Sequence, residues 1–162
     1  MPEIVIVNTS PIFYLHRLDC LDILRKLYGR VIIPQAVVNE LEAGKRVGED
    51  VPEIKDYEWI TVKEVNVPAF ISIITDLGQG EAEVLALACE ERDTLVIIDD
   101  ALARRIAKLR GLRLTGTAGV FLKAKAENHI TEIKPFLSKM KDVGFYLTNN
   151  LISDILKIAG ED

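Results

Sequence analysis

Cysteine is scarce in this 162-residue chain. Cys20 and Cys89 are its only two, far apart, in no metal-ligand spacing, and each inside an apolar helical pattern. They read as buried free thiols of a reducing compartment rather than as a disulfide. Positive charge is short as well, with 20 Lys and Arg against 25 Asp and Glu and a formal net charge of −5. That balance argues against broad, sequence-independent adhesion to nucleic acid, though it leaves room for a local basic strip beside an acidic site. Long apolar runs are missing. None approaches the ~18 residues of a membrane span, and the N-terminal run is too short for a signal peptide, so a cytoplasmic protein without a membrane partner is expected. Repeats and low-complexity tracts are missing too. Histidine is limited to His16 and His129, both isolated and read as packed or surface residues.

What is present is the composition of a soluble globular protein, 49% hydrophobic and 28% charged, of a length that suits one domain over 1–162 with one well-buried core. Four short apolar runs, at 4–7, 31–33, 95–98 and 112–114, lack clear alternation. This suits strands of a central parallel sheet covered on both faces. A weaker candidate at 59–65 alternates in part and reads as an edge strand or an extended loop. Helical patterns lie between the runs. Ser10 can cap the first, Pro11 sits in its first turn, Ile12, Leu15, Leu18 and Leu21 form its apolar stripe, and Gly29 stops it. Pro34 opens a second that runs through Leu41 and ends at Gly44. Others are expected at 80–91, 101–110, 117–126, 133–141 and 151–159, and residues 45–58 read as a polar surface excursion. Strands alternating with helices imply βαβ crossovers and a three-layer α/β fold with a central, mainly parallel sheet flanked by helices.

Open α/β sheets hold ligands at the carboxyl ends of their strands, and this chain places acids there. The run at 95–98 leads into Asp99-Asp100, and the first run leads into Asn8-Thr9-Ser10. A helix follows Asp99-Asp100, so capping explains one aspartate and leaves the other to account for. In "GQGEAEVLALACEE", Glu81 shares a helical face with Leu85 and Ala88, whereas Glu83 stacks with Leu87 and Glu90 on a face bordering solvent. An inward carboxylate calls for a cation or a raised pKa; alternatively, Glu81 simply occupies a first turn where the helix dipole favours acids. Glu40, in "PQAVVNELEAG", says less alone, since most helical glutamates are solvated. Carboxylates converging from several elements would suit Mg²⁺ or Mn²⁺, hard cations that prefer oxygen. "LTGTAGV" at 114–120 is a strand leading to a helix start. It reads either as turn and cap chemistry or as a phosphate contact through Thr115, Gly116 and Thr117; it lacks the lysine of a P-loop. Arg104 and Arg105 read as exposed helical ion-pairing residues or as phosphate ligands. Lys123, Lys125, Lys134, Lys139 and Lys141 make the later half locally basic, which a solvated face explains equally well.

Taken together, "VNTSP", "VVNEL", "GEAEVLALA" and "LVIIDD" resemble the PIN-domain family, in order and spacing, over nearly the whole chain. The segments "GLRLTGTAGVFLKAKAENHI" and "VGFYLTNNLISDILKIAGE" are similar to a PIN-like nuclease subgroup. The family comprises small α/β metal-dependent ribonucleases and includes VapC-like toxins of toxin–antitoxin pairs. The resemblance implies an RNA substrate, Mg²⁺ or Mn²⁺ as cofactor, a possible cognate antitoxin and a homodimer. It sets Asn8 at the family's first acid, Ser10 at the hydroxyl two places on, Glu40 at the second acid, Glu81 at the third and Asp99 at the fourth. The resemblance leaves room for Asp100 as an additional ligand and sets Thr9 beside Ser10 in support. Two positions depart from the pattern. Asn8 is an amide where the family has Asp, and Ile97 replaces a hydroxyl residue often found before the fourth acid. An Asn carbonyl still coordinates Mg²⁺ but brings no charge, so metal affinity falls without vanishing and Asn8 cannot act as a general base.

Two other readings compete. One is a PIN-like module that binds RNA or protein without turnover, because Asn8 replaces the first acid. The other is a phosphoacceptor receiver domain, which expects paired acids after strand one. This chain has none there, and its Lys134-Pro135 lies in a helical segment.

Overall fold

A computed structural model describes residue 2 and residues 4–162. Five strands form one parallel sheet: β1 (Ile4–Val7), β2 (Val31–Pro34), β3 (Ile60–Lys63), β4 (Thr94–Ile97) and β5 (Arg113–Thr115), in the order β3-β2-β1-β4-β5. The apolar runs match these strands to within a residue at either end, and the doubtful fifth run is the edge strand β3. In β1, Val5, Ile6 and Val7 are all buried. Consecutive side chains of a strand point to opposite faces, so three buried in a row require cover on both sides.

Among the described residues that cover comes from nine helices: α1 (Thr9–Arg17), α2 (Ile23–Tyr28), α3 (Gln35–Arg46), α4 (Ala69–Ser72), α5 (Gln79–Glu90), α6 (Ala101–Leu109), α7 (Thr117–Ala126), α8 (Lys134–Asp142) and α9 (Asn149–Ala159). Helix α5 packs on β1, β2 and β4 beside α3 and α6, and α7 packs against α1, α2, β5 and α9. The apolar faces meet in one continuous core that includes Ile6, Leu24, Leu85, Phe121 and Ile133.

Four details differ from the sequence-based expectation. The first helix is two, because the chain turns at Asp19, whose φ of 54° is left-handed, and Cys20 N–H returns to Leu15 O (2.9 Å). Its cap position is Asn8, without a side-chain cap bond; Ser10 lies inside the first turn. Gly44 does not end α3, which continues to Arg46. Finally, Cys89 is exposed, since it stands in the last turn of α5, beyond the buried run from Val84 to Ala88; Cys20 is the buried thiol, pushed up to about 12 chiefly by burial, with the charge of Asp19 adding and Lys139 opposing.

The lysines of the later half are partly neutralised. Lys123 lies over the Tyr28 ring (4.6 Å) and near Glu127, while Lys125 meets Glu161. That carboxylate clasps the C-terminal helices. It accepts from Lys125 Nζ (2.8 Å), Ile133 N–H (2.8 Å) and Lys134 N–H (3.1 Å), so it caps α8 from the far end of α9. These donors favour the charged form, with Lys125 first, and hold Glu161 down at about 2 against an ordinary 4.5. The stabilisation is therefore complete above the ordinary value and is lost as pH falls towards about 2. Glu161→Gln is expected to lower the melting temperature at neutral pH. The gap to the parent protein should close on acidification, which parallel thermal melts across that range would record.

Candidate functional site

The chain leaves β1 along one edge, through β2 to β3, and returns to pair β4 with the other side of β1. Such a reversal opens a crevice at the carboxyl ends of the two central strands. Asn8 and Asp99 stand there. Asn8 continues β1 in extended conformation (φ −80°, ψ 172°), and its N–H donates to Ile97 O (3.0 Å), which holds it against β4. Its side chain is 2% exposed, yet Oδ1 has no hydrogen-bond partner. A buried carbonyl left unpaired costs about 1–3 kcal/mol; such a group calls for an electropositive neighbour.

Three carboxylates approach from other elements. Glu40, on α3, accepts from Thr9 Oγ1 through Oε1 (2.5 Å) and from Gly80 N–H through Oε2 (3.1 Å). Gly80 leaves room for this approach: a Cβ there would displace Glu40 Oε1 and lie 3.1 Å from Asn8 Oδ1. Glu81, in the first turn of α5, is half-buried, and burial is the main cause of its raised pKa; its own backbone N–H and the Asn8 amide oppose the rise, and the charges of Glu40 and Asp100 add to it. Asp99 is held from α7, where Oδ1 accepts from Thr117 N–H (2.8 Å) and Oδ2 from Thr117 Oγ1 (2.7 Å), and from α1, whose Ser10 Oγ donates to Oδ2 at 3.3 Å. Asp100 is the cap of α6, accepting from Ala103 N–H (2.9 Å). One aspartate of the pair thus caps, and the other turns to the crevice.

Two adjoining clefts divide the expected site residues. One, of about 280 Å³, is lined by Asn8, Thr9, Ser10, Glu40 and Glu81 together with Glu49, Phe13 and Tyr14. The other, of about 480 Å³, contains Asp99, Arg104, Thr115 and Gly116. The Ser10–Asp99 bond joins them. Thr117, read from the sequence either as turn and cap chemistry or as a phosphate contact, spends its hydroxyl and N–H on Asp99. Arg104 donates to Ile98 O (2.9 Å) and leans with Asp99 over Gly116, where a Cβ would lie 2.7 Å from Asp99 Oδ1 and 3.1 Å from Arg104 Nη1. Among the described residues, no three His, Cys, Asp or Glu side chains gather closely enough to hold a metal ion by themselves. The donor chemistry nevertheless suits a hard cation, since every atom offered is an oxygen and one is an orphaned carbonyl.

A family model described as a PIN domain matches residues 4–161. The chain belongs to the PIN-domain family. PIN domains are nuclease-type modules, and here the module places its strand-end acids at the β1/β4 reversal. Comparison with curated proteins and with solved structures returned no match. Several residues of this PIN domain's crevice escape a reading of the sequence. Gly80 as donor to Glu40 is one, although its place directly before Glu81 is a local signal. Thr117 as clamp of Asp99 and the ring of Tyr14 are others, since both depend on packing between distant segments. Glu83, expected at the solvent border, is partly exposed there and accepts from Ala36 N–H (3.1 Å) and Gln79 Nε2 (3.0 Å), the first of which ties α5 to α3.

An acid whose pKa is raised by folding binds more protons in the native than in the unfolded state, so stability falls as pH rises beyond the ordinary value of 4.5. Glu81→Gln removes that penalty. In chelator-treated protein the variant should melt above the parent at neutral pH, and the difference should fade below the ordinary carboxylate range; a scan of melting temperature against pH measures it.

Proposed function

We propose that this protein is a divalent-metal-dependent endoribonuclease in which Asn8, Glu40, Glu81 and Asp99 hold Mg²⁺ or Mn²⁺, with Asp100 contributing charge nearby. The observation that supports this most is the unpartnered Asn8 carbonyl, buried beside Glu40 and Glu81. Proteins rarely leave such a group unpaired without a functional reason. When bound, the ion supplies Lewis acidity towards the phosphodiester and a lowered pKa for water.

The chain's own residues supply position and charge. Thr9 and Gly80 fix both oxygens of Glu40, and Thr117 with Ser10 fixes those of Asp99. Side chains locked by such partners lose little entropy when they take up a ligand. Arg104 stands at the Asp99 side as a cation for an RNA phosphate, with the backbone turn at Thr115 and Gly116 beside it. No side chain is required as nucleophile. Asn8 itself moves no proton, because an amide does not titrate in this range. That same amide favours the second reading, a module that binds RNA without cutting it.

Defined RNA incubated with Mn²⁺ distinguishes the two. Cleavage is expected, with Asp99→Asn reducing the rate by roughly 10- to 100-fold. Asn8→Asp is expected to destabilise the chelated protein and to enlarge the rise in melting temperature that Mn²⁺ produces. RNA retained on the protein but uncut under every metal condition would favour the binding module, and cleavage indifferent to Asp99→Asn would remove Asp99 from the site.

A further inference from the structure

The cleft on the Asp99 side is not an acidic cleft. Beyond Asp99, Arg104 and the turn at Gly116, its walls are apolar: Leu114, Leu122, Phe145, Leu151 and Ile155, with Tyr146 at the rim. Tyr146 is 83% exposed, an aromatic ring presented to solvent at the mouth of an apolar cavity. The cavity holds about 480 Å³, within the range of small-ligand sites. Two contacts lie between it and the acidic cleft. They are the Ser10–Asp99 hydrogen bond (3.3 Å) and the edge-to-face pair of Tyr14 with Phe145 (centroids 4.8 Å apart). A ligand lying across that divide meets carboxylates and the orphaned amide on one side. On the other it meets a guanidinium and then an apolar, aromatic-lipped pocket.

That sequence of surfaces corresponds to one nucleotide beside a scissile phosphate. A phosphodiester is anionic and suits Arg104, which has donors beyond the one it gives to Ile98 O. A nucleobase is flat and largely apolar on its faces, and it stacks on exposed aromatic rings. Only an unpaired base can leave its neighbours to enter such a pocket. The geometry points to this cavity as a nucleobase subsite, in which an unpaired nucleotide flanking the cleaved bond stacks on Tyr146 while Arg104 takes its phosphate. The inference rests on the nuclease reading for the position of the cleaved bond, but the subsite binds RNA without metal. Tyr146 and Arg104 are positioning residues here. They act on where the RNA lies, not on the reacting atoms.

Fluorescence anisotropy with a short labelled single-stranded RNA, in chelator so that nothing is cut, tests the subsite directly. Tyr146→Ala should weaken binding by about tenfold, and Tyr146→Phe, which keeps the ring, should restore it. The same sequence as a duplex should bind more weakly than the single strand. Arg104→Gln should reduce the slope of log affinity against log salt by about 0.7, the share of one phosphate contact on a single strand. Equal binding by the parent and Tyr146→Ala would overturn the subsite, as would a duplex bound as tightly as the single strand or no RNA binding at all. Self-association lost in Tyr146→Ala, with RNA binding unchanged, would assign the face to contact between copies and also overturn it. The nuclease reading fails separately. Binding that depends on Tyr146, without cleavage in Mn²⁺, would retain the subsite and remove the activity, whereas cleavage without dependence on Tyr146 would do the reverse.

Discussion

Parallel pairing of β1 with β4, residue for residue from Ile4 with Thr94 to Val7 with Ile97, decides where Asn8 and Asp99 stand at the head of the crevice. Closing that ladder with Asn8 N–H on Ile97 O puts the first polar residue after β1 level with the last residue of β4. Ile98 and Asp99 then follow at the same height. A slip of one residue would turn Asn8 and Asp99 to other faces, because side-chain direction alternates along a strand. The buried Val5, Ile6 and Val7 oppose any slip, since each would exchange one packed environment for another. The apolar core thus sets the register of the polar site that adjoins it.

Around that fixed pair, the remaining acids are brought in by helices and steadied by neutral donors. Hydroxyls and backbone N–H groups hold Glu40 and Asp99, and no ion pair joins either of them among the described residues. Neutral donors orient a carboxylate without cancelling its charge. The distinction matters for Glu81, which senses Glu40 and Asp100 as repulsive neighbours. By contrast, Glu161 meets the full charge of Lys125 and settles into a purely structural role. Two buried or half-buried glutamates of one chain thus differ in kind according to the charge of their partners.

The sheet was largely legible from the sequence because its strands are short, apolar and bounded by turn residues, and the helix starts were legible where Pro, Gly or Asp marks them. The break at Asp19 was not, since the apolar stripe continues through Leu18 and Leu21 and conceals it. At the crevice, Glu81 stood out against Glu83 by its helical face alone, and the redundancy of Asp99-Asp100 suggested two roles for two aspartates. What periodicity cannot reveal is who donates to whom. Thr9 to Glu40 and Thr117 to Asp99 span 31 and 18 residues, distances that only the folded topology closes. The exposure of Cys89 was missed for a related reason: it sits in the last turn of α5, where solvent reaches a residue that the pattern assigns to the interior.

The unpaired carbonyl of Asn8 and the mutual repulsion around Glu81 have a thermodynamic consequence for the molecule as a whole. Both are costs that the folded crevice carries and that the unfolded chain, where water solvates each group separately, does not. On the metal-dependent reading proposed above, a cation that prefers these oxygens to the unfolded chain enters the folding equilibrium by mass action. Folding and occupancy are then linked functions. On that reading, scarcity of the cation lowers the protein's stability and shortens its lifetime in a cell with active proteases.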